Sequence, residues 1–403
     1  MNLDYDVIAI GGGAVGFFSA INLAIARPDL KIAIFEQSHE VLSKVRISGG
    51  GRCNVTHDCA DPKALIKYYP RGSKELLGPF HKFGPDDTRS WFENYNVETK
   101  VESDGRVFPV SDSSETIIQC FIQLAQQTGI DILTSQKVID ISFETPFTIH
   151  TKSKQYTCKF LILGTGSTPS IWKLLATKGY RIVDPVPSLF TFNLPDHPIR
   201  ELMGLSVSNA KVSIQDTKIQ TEGAVLITHW GLSGPAILKA SAWGAVELAE
   251  LQYDFHFTID WIPEITVDEI AALRMRIPKK SVATSTPFEV VPIRLWRFLM
   301  ESLAIDPQKN WASLTKSEME SIQTALKKFV FHAQGKSTFK AEFVTAGGVD
   351  LSQIQFKSFE SKLHQNVFMA GEILNIDAVT GGFNFQAAWT GGYLIASSIA
   401  DRW

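Results

Sequence analysis

Tyr5-Asp-Val-Ile-Ala-Ile10 runs directly into Gly11-Gly-Gly-Ala-Val-Gly16, and the reading of this join decides the fold. The first stretch ends in four apolar residues, as in a short strand buried on both faces. Residues 17–26 read as an apolar helix, and residues 31–35 as a second strand ending at Glu36. The glycines therefore form a G-x-G-x-x-G turn between strand and helix, with an acid 20 residues beyond the last of them. Gly11 permits the tight turn, Gly13 lets backbone approach a pyrophosphate, and Gly16 lets helix and strand pack closely. Ala14 and its neighbours open the helix, whose unpaired N–H groups and partial positive charge suit phosphate. Glu36 can accept hydrogen bonds from a ribose diol. The spacing predicts a dinucleotide site at the C-terminal end of a parallel strand.

Two more apolar runs suit the same sheet. Phe160-Leu-Ile-Leu-Gly-Thr-Gly-Ser167 is a strand running into small residues, and Asn366-Val-Phe-Met-Ala-Gly-Glu372 is a strand ending in Gly-Glu. Ligands bind at such strand ends in open α/β sheets. Between them, residues 88–95 and 113–129 read as helices. Residues 130–149 and 154–163 alternate like a strand layer leading back to the main sheet. From about residue 188 the texture changes. Residues 207–217 and 218–227 alternate like a hairpin, Thr228-His-Trp-Gly-Leu-Ser-Gly-Pro235 reads as a loop opening a helix over 236–242, and 253–259 reads as a strand. Helices follow at 266–276, 288–303 and 317–328, punctuated by prolines. These features predict an α/β chain in three parts: a Rossmann-like domain of residues 1–187 and 343–403, an inserted β-rich domain of 188–260 and 329–342, and a helical insertion of 261–328.

The C-terminal stretch selects the nucleotide. Thr345-Ala-Gly-Gly-Val349 reads as a small-residue turn. Gly381-Gly-Phe-Asn-Phe-Gln386 opens a helix running from about 386 to 400, with Asn384 as its N-cap. A domain that starts at residue 7 and closes near residue 400 needs both ends on one cofactor, as in large FAD proteins. The final helix would aim its N-terminus, at Gly382 to Asn384, toward the flavin pyrimidine edge, where reduction collects negative charge. Gly164-Thr165-Gly166 is followed closely by Pro169 rather than by a second intact nucleotide turn, and reads as a crossing point toward the inserted region. No dedicated NAD(P) domain is expected, so NADH or NADPH would bind only transiently at the flavin face.

Bulk properties bound the function classes. The chain has 403 residues, 44% hydrophobic and 20% charged, enough for two or three domains. A net charge of −3 gives no global attraction to nucleic acid or anionic membrane. Asp4 and Asp6 stand where a secretion signal would be positive, and no apolar run of about 18 residues occurs, so neither signal nor membrane span is expected. The four cysteines are sparse, without C-x-x-C or zinc spacing, so no metal site and a reduced, cytoplasmic setting are expected.

Ile47-Ser-Gly-Gly-Gly-Arg-Cys-Asn-Val-Thr56 closely resembles a signature of the BaiN-like NAD(P)/FAD-dependent oxidoreductases, also called aminoacetone-oxidase-family FAD-binding flavoproteins. Gly11 to Gly16, Arg106-Val-Phe-Pro-Val110, the 228–235 loop, and Gly371-Glu372 through Asn384 agree with that pattern. The chain departs from it at Val15, Val45, Asn375, Ala378 and Phe383. The resemblance implies a glutathione-reductase-like FAD domain interrupted by a β-barrel-like domain and a small helical domain. It implies an FAD-dependent oxidoreductase passing hydride through flavin N5 to or from a small-molecule substrate, with NAD(P)H as donor. The family is associated with reduction of unsaturated carbonyl compounds and with amine oxidation, and some relatives with reduction of uracil to dihydrouracil in ribosomal RNA. The cofactor contacts expected are Gly11, Gly13, Ala14, Gly16, Glu36, Lys44, Ser48, Gly49, Gly50, Gly51, Arg52, Asn54, Gly164, Thr165, Gly166, Gly371, Glu372, Gly381, Gly382, Phe383 and Asn384.

Within the signature, three glycines allow close backbone approach, Arg52 can meet phosphate or substrate charge, and Asn54 can donate to a flavin. Cys53 and Cys59 are separated by five residues, not the four of a helix-start redox pair, and Cys53 reads as a packing thiol. Arg52 and His229 are the candidate catalytic groups; His229 would serve as acid or base, or else satisfy a nearby carbonyl. Arg274, Arg276, Lys279, Lys280, Arg294 and Arg297 make residues 274–297 locally basic, either a solvated face or a contact for a polyanion such as RNA.

Overall fold

The computed structural model describes residues 3–337 and 344–403. The chain divides into two compact units, Met1–Val186 with Lys340–Trp403, and Pro187–Phe339. The expected return to the first domain near residue 343 lies outside the described residues.

The first unit is built on a parallel sheet. Val7–Ile10 (β1) leads through the glycine turn into Ala14–Ala26 (α1) and then Ile32–Phe35 (β2). Asp131–Leu133 (β3) and Phe160–Leu163 (β4) follow; Pro169–Thr177 (α2) leaves β4. Val367–Met369 (β5) and the long helix Phe383–Ala400 (α3) close the unit. The parallel order is β5-β4-β1-β2-β3, with Val7 opposite both Phe160 and Ile32. Two short antiparallel strands, Glu360–Ser361 and Ile354–Gln355, extend the β5 edge. β1, β2 and β4 are buried at every position, which explains their unbroken apolar runs. The alternating runs that precede β4 form an antiparallel meander of Val138–Ser142, Phe147–Thr151 and Gln155–Cys158.

Head and tail of the chain meet in this unit. A Cβ at Gly392 of α3 would lie 3.2 Å from both Phe18 Cβ and Ser19 N of α1, so the glycine lets two helices approach closely. Trp389 of α3 packs against Phe18 with ring centroids 5.2 Å apart.

Three local expectations need correction. The 345–349 stretch is not a turn but a strand, Val344–Val349, paired with Ile182–Ser188. Its small residues serve close approach instead: a Cβ at Gly347 would sit 2.7 Å from Asp184 O and Pro185 Cα. α3 begins at Phe383 rather than 386, and its N-cap is Gly382 at φ +87°, not Asn384. Asn384 instead accepts from the Ala378 N–H at 3.0 Å and donates to the Ala378 carbonyl at 3.2 Å, closing the loop ahead of the helix. Finally, the stretch read as a crossing point leads straight into a helix that Pro169 opens, because the first helical position needs no N–H.

The second unit carries a seven-stranded antiparallel sheet. Its order is Phe329–Gln334, Asp254–Asp260, Ser206–Ile214, Gln220–Ile227, Gly231–Ser233, Thr191–Asn193, Lys336–Ser337. The loop expected at 228–235 thus contains a short strand before the helix Pro235–Trp243. Helices Val267–Arg276, Ile293–Ser302 and Lys316–Lys327 bury Leu273, Trp296 and Ile322 in the same hydrophobic core as Phe257 and Phe331 of the sheet. The second helix starts later than its apolar pattern suggests, because Pro292 forms its N-cap.

Candidate functional site

The glycines of the first turn face different surroundings. A Cβ on Gly11, at φ +106°, would overlap the Gly164 carbonyl and approach Thr165 Cα to 2.9 Å. This glycine lets the turns after β1 and β4 touch. A Cβ on Gly16 would overlap the Gly11 carbonyl oxygen. A Cβ on Gly13 would meet no atom within 4 Å, so that side of the turn is open. Gly13 is the N-cap of α1 and no side chain caps it, leaving the first N–H groups of the helix without intrahelical acceptors. Below the turn, Glu36 accepts from the Gly12 N–H at 2.9 Å and from the Ser38 N–H and hydroxyl at 2.8 and 2.7 Å. Those bonds fix the carboxylate and leave a lone pair on Oε2.

A cavity opens beside this turn, lined by Gly11, Glu36, Gln136, Val138, Thr165 and Thr168 among others. Thr165 and Gln136 both line it, and Thr165 Oγ1 and Gln136 Oε1 are buried without a hydrogen-bond partner. Orphaned buried polar atoms cost about 1–3 kcal/mol each, so they mark a place where a polar ligand group fits. The ends of β4 and β5 come to the same turn. A Cβ on Gly371 would lie 2.9 Å from Val15 Cγ2, and one on Gly166 would lie 3.7 Å from Glu372 Oε2. Glu372 forms an ion pair with Lys44, whose Nζ also reaches Ser167 Oγ at 3.4 Å. Open glycine, uncapped helix, fixed acid and unpaired polar walls together fit the adenosine diphosphate half of FAD.

The signature segment forms a second cradle. Ser48 is extended; Gly49, Gly50 and Gly51 then take φ +58°, +69° and +83°, a left-handed run that side chains would disfavour. The Ser48 carbonyl accepts from the N–H groups of Arg52 and Cys53 and closes the turn. Cβ atoms on Gly50 and Gly51 would meet nothing within 4 Å, whereas one on Gly49 would press on Asn54 N and Phe108 at 2.9 Å.

Two residues of this segment are engaged otherwise than the sequence suggests. Arg52 donates to Glu102 at 2.6 Å, lies 3.5 Å from Asp112, and stacks 3.9 Å above the Phe108 ring. Its charge is met by carboxylates of the chain itself. The Asn54 amide, oriented so that both its atoms are satisfied, donates to the carbonyls of Thr56 at 2.9 Å and Val107 at 3.2 Å, and accepts from the Gly382 N–H at 3.0 Å. It clamps the signature to the cap of α3 rather than reaching for a ligand.

More bonds stitch the same joint. Gln386 Oε1 accepts from Thr56 at 2.6 Å and Thr88 at 2.9 Å, Trp389 donates to the Val55 carbonyl at 2.9 Å, and Tyr69 donates to the Phe383 carbonyl at 2.6 Å. Phe383 lies between Tyr68, stacked at 4.2 Å and 12°, and His57 at 4.5 Å. His57 Nδ1 is 3.2 Å from the Gly381 carbonyl, a partner 324 residues away. Asn375 accepts from the Gly347 N–H at 3.0 Å, tying the Val344–Val349 strand to this loop. Sequence reasoning missed His57, Tyr68, Gln136 and Gln386. Only His57 carried a local sign, its place directly after the signature.

Cys53 is fully buried at φ +59°, and burial pushes its thiol up to about 12. All four cysteines are free thiols. His229 belongs to the second unit, on an exposed loop; its carbonyl accepts from Arg200 Nε at 2.7 Å and its ring lies against Trp230. Among the described residues no group of three or more His, Cys, Asp or Glu could hold a metal ion, and no helix is long and apolar enough to cross a membrane.

A family model described as the HI0933-like protein Rossmann domain matches residues 5–398. The chain is 25% identical over 407 residues to a 3-dehydro-bile acid delta(4,6)-reductase of Clostridium scindens, covering 98% of each protein. It is 26% identical over 412 residues to a ribosomal RNA dihydrouridine synthase of Haemophilus influenzae, again with 98% of each covered. The solved 3-ketosteroid delta1-dehydrogenase of Sterolibacterium denitrificans shares the fold, with a TM-score of 0.51, 9% identity, and coverage of 99% of this chain and 100% of that one.

Proposed function

The chain belongs to the HI0933-like Rossmann family of FAD-dependent oxidoreductases, and from that premise we propose that it is an NAD(P)H-linked reductase of a small unsaturated carbonyl compound. The observation that supports this most is the meeting, in one unit, of the uncapped start of α1 with Gly371 and of the Gly382 turn with Asn54 and Thr56 of the signature. FAD held there would supply hydride transfer between a nicotinamide and the substrate.

The residues divide that work. The first N–H groups of α1, reached past the open face of Gly13, hold the diphosphate. Glu36 accepts from the ribose diol, and Thr165 and Gln136 give the adenosine end its polar walls. The Lys44–Glu372 pair would help hold the cofactor beside the ends of β4 and β5. Gly50 and Gly51, open on their Cβ side, would let the backbone of the signature approach the cofactor closely. The N-terminus of α3 at Phe383 and Asn384 would stabilise negative charge on the flavin by about 0.3–1 kcal/mol, up to about 2 where partly buried. Arg52 and Asn54 hold these segments in place. The likeness to the bile-acid reductase supports an unsaturated carbonyl as the substrate class. The test is the absorption spectrum of the purified protein, followed by anaerobic mixing with NADH and with NADPH. A yellow protein bleached by one nucleotide is expected; a colourless one overturns the proposal.

A second reading is reduction of uracil in ribosomal RNA with the same cofactor. It is favoured by the exposed basic side chains Arg274, Arg276, Lys279, Lys280, Arg294 and Arg297 and by the likeness to the ribosomal RNA enzyme. RNA binding that weakens with salt and is lost when Arg274, Arg276, Lys279 and Lys280 are neutralised would carry it; binding insensitive to that change would remove it.

A further inference from the structure

We propose that His57 is a positioning residue for the pyrimidine end of the cofactor: it locks the turn that caps α3, and its proton uptake adds a bend to the pH dependence of the bound flavin's reduction potential. The inference rests on the FAD reading above and concerns the same site.

The lock is visible in the bonding. Gly381 and Gly382 take φ +136° and +87°, backbone states with no side chain to hold them. The signature strand end holds both. Asn54 accepts the Gly382 N–H, and three residues on, His57 bonds the Gly381 carbonyl at 3.2 Å. A carbonyl only accepts, so Nδ1 carries the hydrogen of the neutral ring, and Nε2 is the atom that titrates. Packing fixes the ring. It lies against Phe383 at 4.5 Å and Tyr68 at 5.6 Å, and a Cβ on Gly105 would stand 2.7 Å from Nε2. The Nδ1 bond therefore survives protonation, and only the charge changes.

The groups facing the imidazole are the Tyr68 ring, Asp104 and Arg106 on either side of Gly105, and Asp58, which itself pairs with Arg89. Burial holds His57 below its usual range; the Gly381 bond and the two carboxylates oppose that, and Arg106 adds to it. Hydride gain brings two electrons and one proton to the ring system and leaves the nicotinamide oxidised, so one net negative charge remains. An imidazolium at the α3 cap stabilises that charge. By reciprocity, reduction strengthens proton binding at His57. The potential should thus be higher on the acid side of the His57 titration and fall as the ring loses its proton.

Redox titration of the flavin-loaded protein between about pH 5 and pH 8 tests this, where histidine changes charge. The wild type should show a bend in the plot of potential against pH. His57→Asn keeps a donor for Gly381 but cannot titrate; it should bind FAD with unchanged stoichiometry and follow the alkaline limb without the bend. His57→Phe keeps the ring and loses the donor, and should have a lower potential than His57→Asn and weaker FAD binding. A bend that persists in His57→Asn overturns the inference. Should the variants not fold, the His57 proton resonance of the wild type decides: its titration should move to higher pH on reduction, and equal titrations in the two redox states overturn the proposal. Purified wild type without FAD would instead defeat the FAD reading itself.

Discussion

A methyl group added at Gly16 would overlap the Gly11 carbonyl oxygen, whereas one added at Gly13 would meet no protein atom within 4 Å. Substitution should separate the two. Gly16→Ala must displace backbone, and should lose about 1–3 kcal/mol of stability in thermal or denaturant unfolding. Gly13 has an extended conformation that any residue adopts. Gly13→Val should therefore unfold close to wild type yet lose the visible flavin absorption; full flavin content in that variant would refute the assignment. Thiol chemistry gives a second test at this scale. Burial pushes Cys53 up to about 12, while Cys59 is half-exposed. Alkylation of the native protein near neutral pH, read by peptide mass, should modify Cys59 and spare Cys53. The glycine roles were legible because a G-x-G-x-x-G turn constrains only its own backbone. Arg52 and Asn54 were not, because Glu102 and Gly382, which take up their hydrogen bonds, are remote in sequence.

Buried polar bonds join elements that are remote in sequence. Arg71 pairs with Asp377, a carboxylate with no solvent exposure, and their backbones also form an isolated bridge. Removing only the cation with Arg71→Met takes the ion-pair partner from that buried charge, and should cost about 3–5 kcal/mol of unfolding free energy. The double variant Arg71→Met with Asp377→Leu should recover part of the loss. Equal stability of single and double variants would contradict that account. At this scale the sequence placed the strands Val7–Ile10, Ile32–Phe35, Phe160–Leu163 and Val367–Met369 and the helices Ala14–Ala26, Ser114–Gln127 and Val267–Arg276 within a few residues, and named neither the strand Ile182–Ser188 nor the helix Ser73–Phe80. It misread the start of α3 because Asn384 is a good capping residue by type, while Gly382 took the cap through a left-handed backbone that fits against Thr56. It misread Val344–Val349 because small residues signal turns as readily as close-packed strands.

Across the whole molecule, deeply buried thiols link folding to pH. Burial pushes Cys53 and Cys120 each up to about 12, and raises Cys158 as well. Their unperturbed value is 9.0. The fold thus retains protons that the unfolded chain gives up once the pH passes that value. The sign is negative: this stability is present in full below pH 9.0 and is lost as pH climbs toward about 12. The midpoint of thermal unfolding should fall over that window, and fall less in a variant with all three cysteines replaced by alanine. An identical slope in that variant would remove the thiols as the cause.

The sequence by itself determined that a parallel α/β sheet would carry a dinucleotide turn at residues 11–16 and would be completed by the C-terminal helix. Apolar runs, glycine spacing and a matching acid are properties of short stretches, and short-range sterics act on them directly. Only the tertiary structure decided which polar groups stay open to a ligand. It satisfied Asn54 and Arg52 from within the chain, left Thr165 and Gln136 unpaired in a cavity, and set His57 on the cap of α3. Hydrogen bonds saturate, so whether a donor remains free depends on partners brought from hundreds of residues away, and no local pattern encodes that meeting.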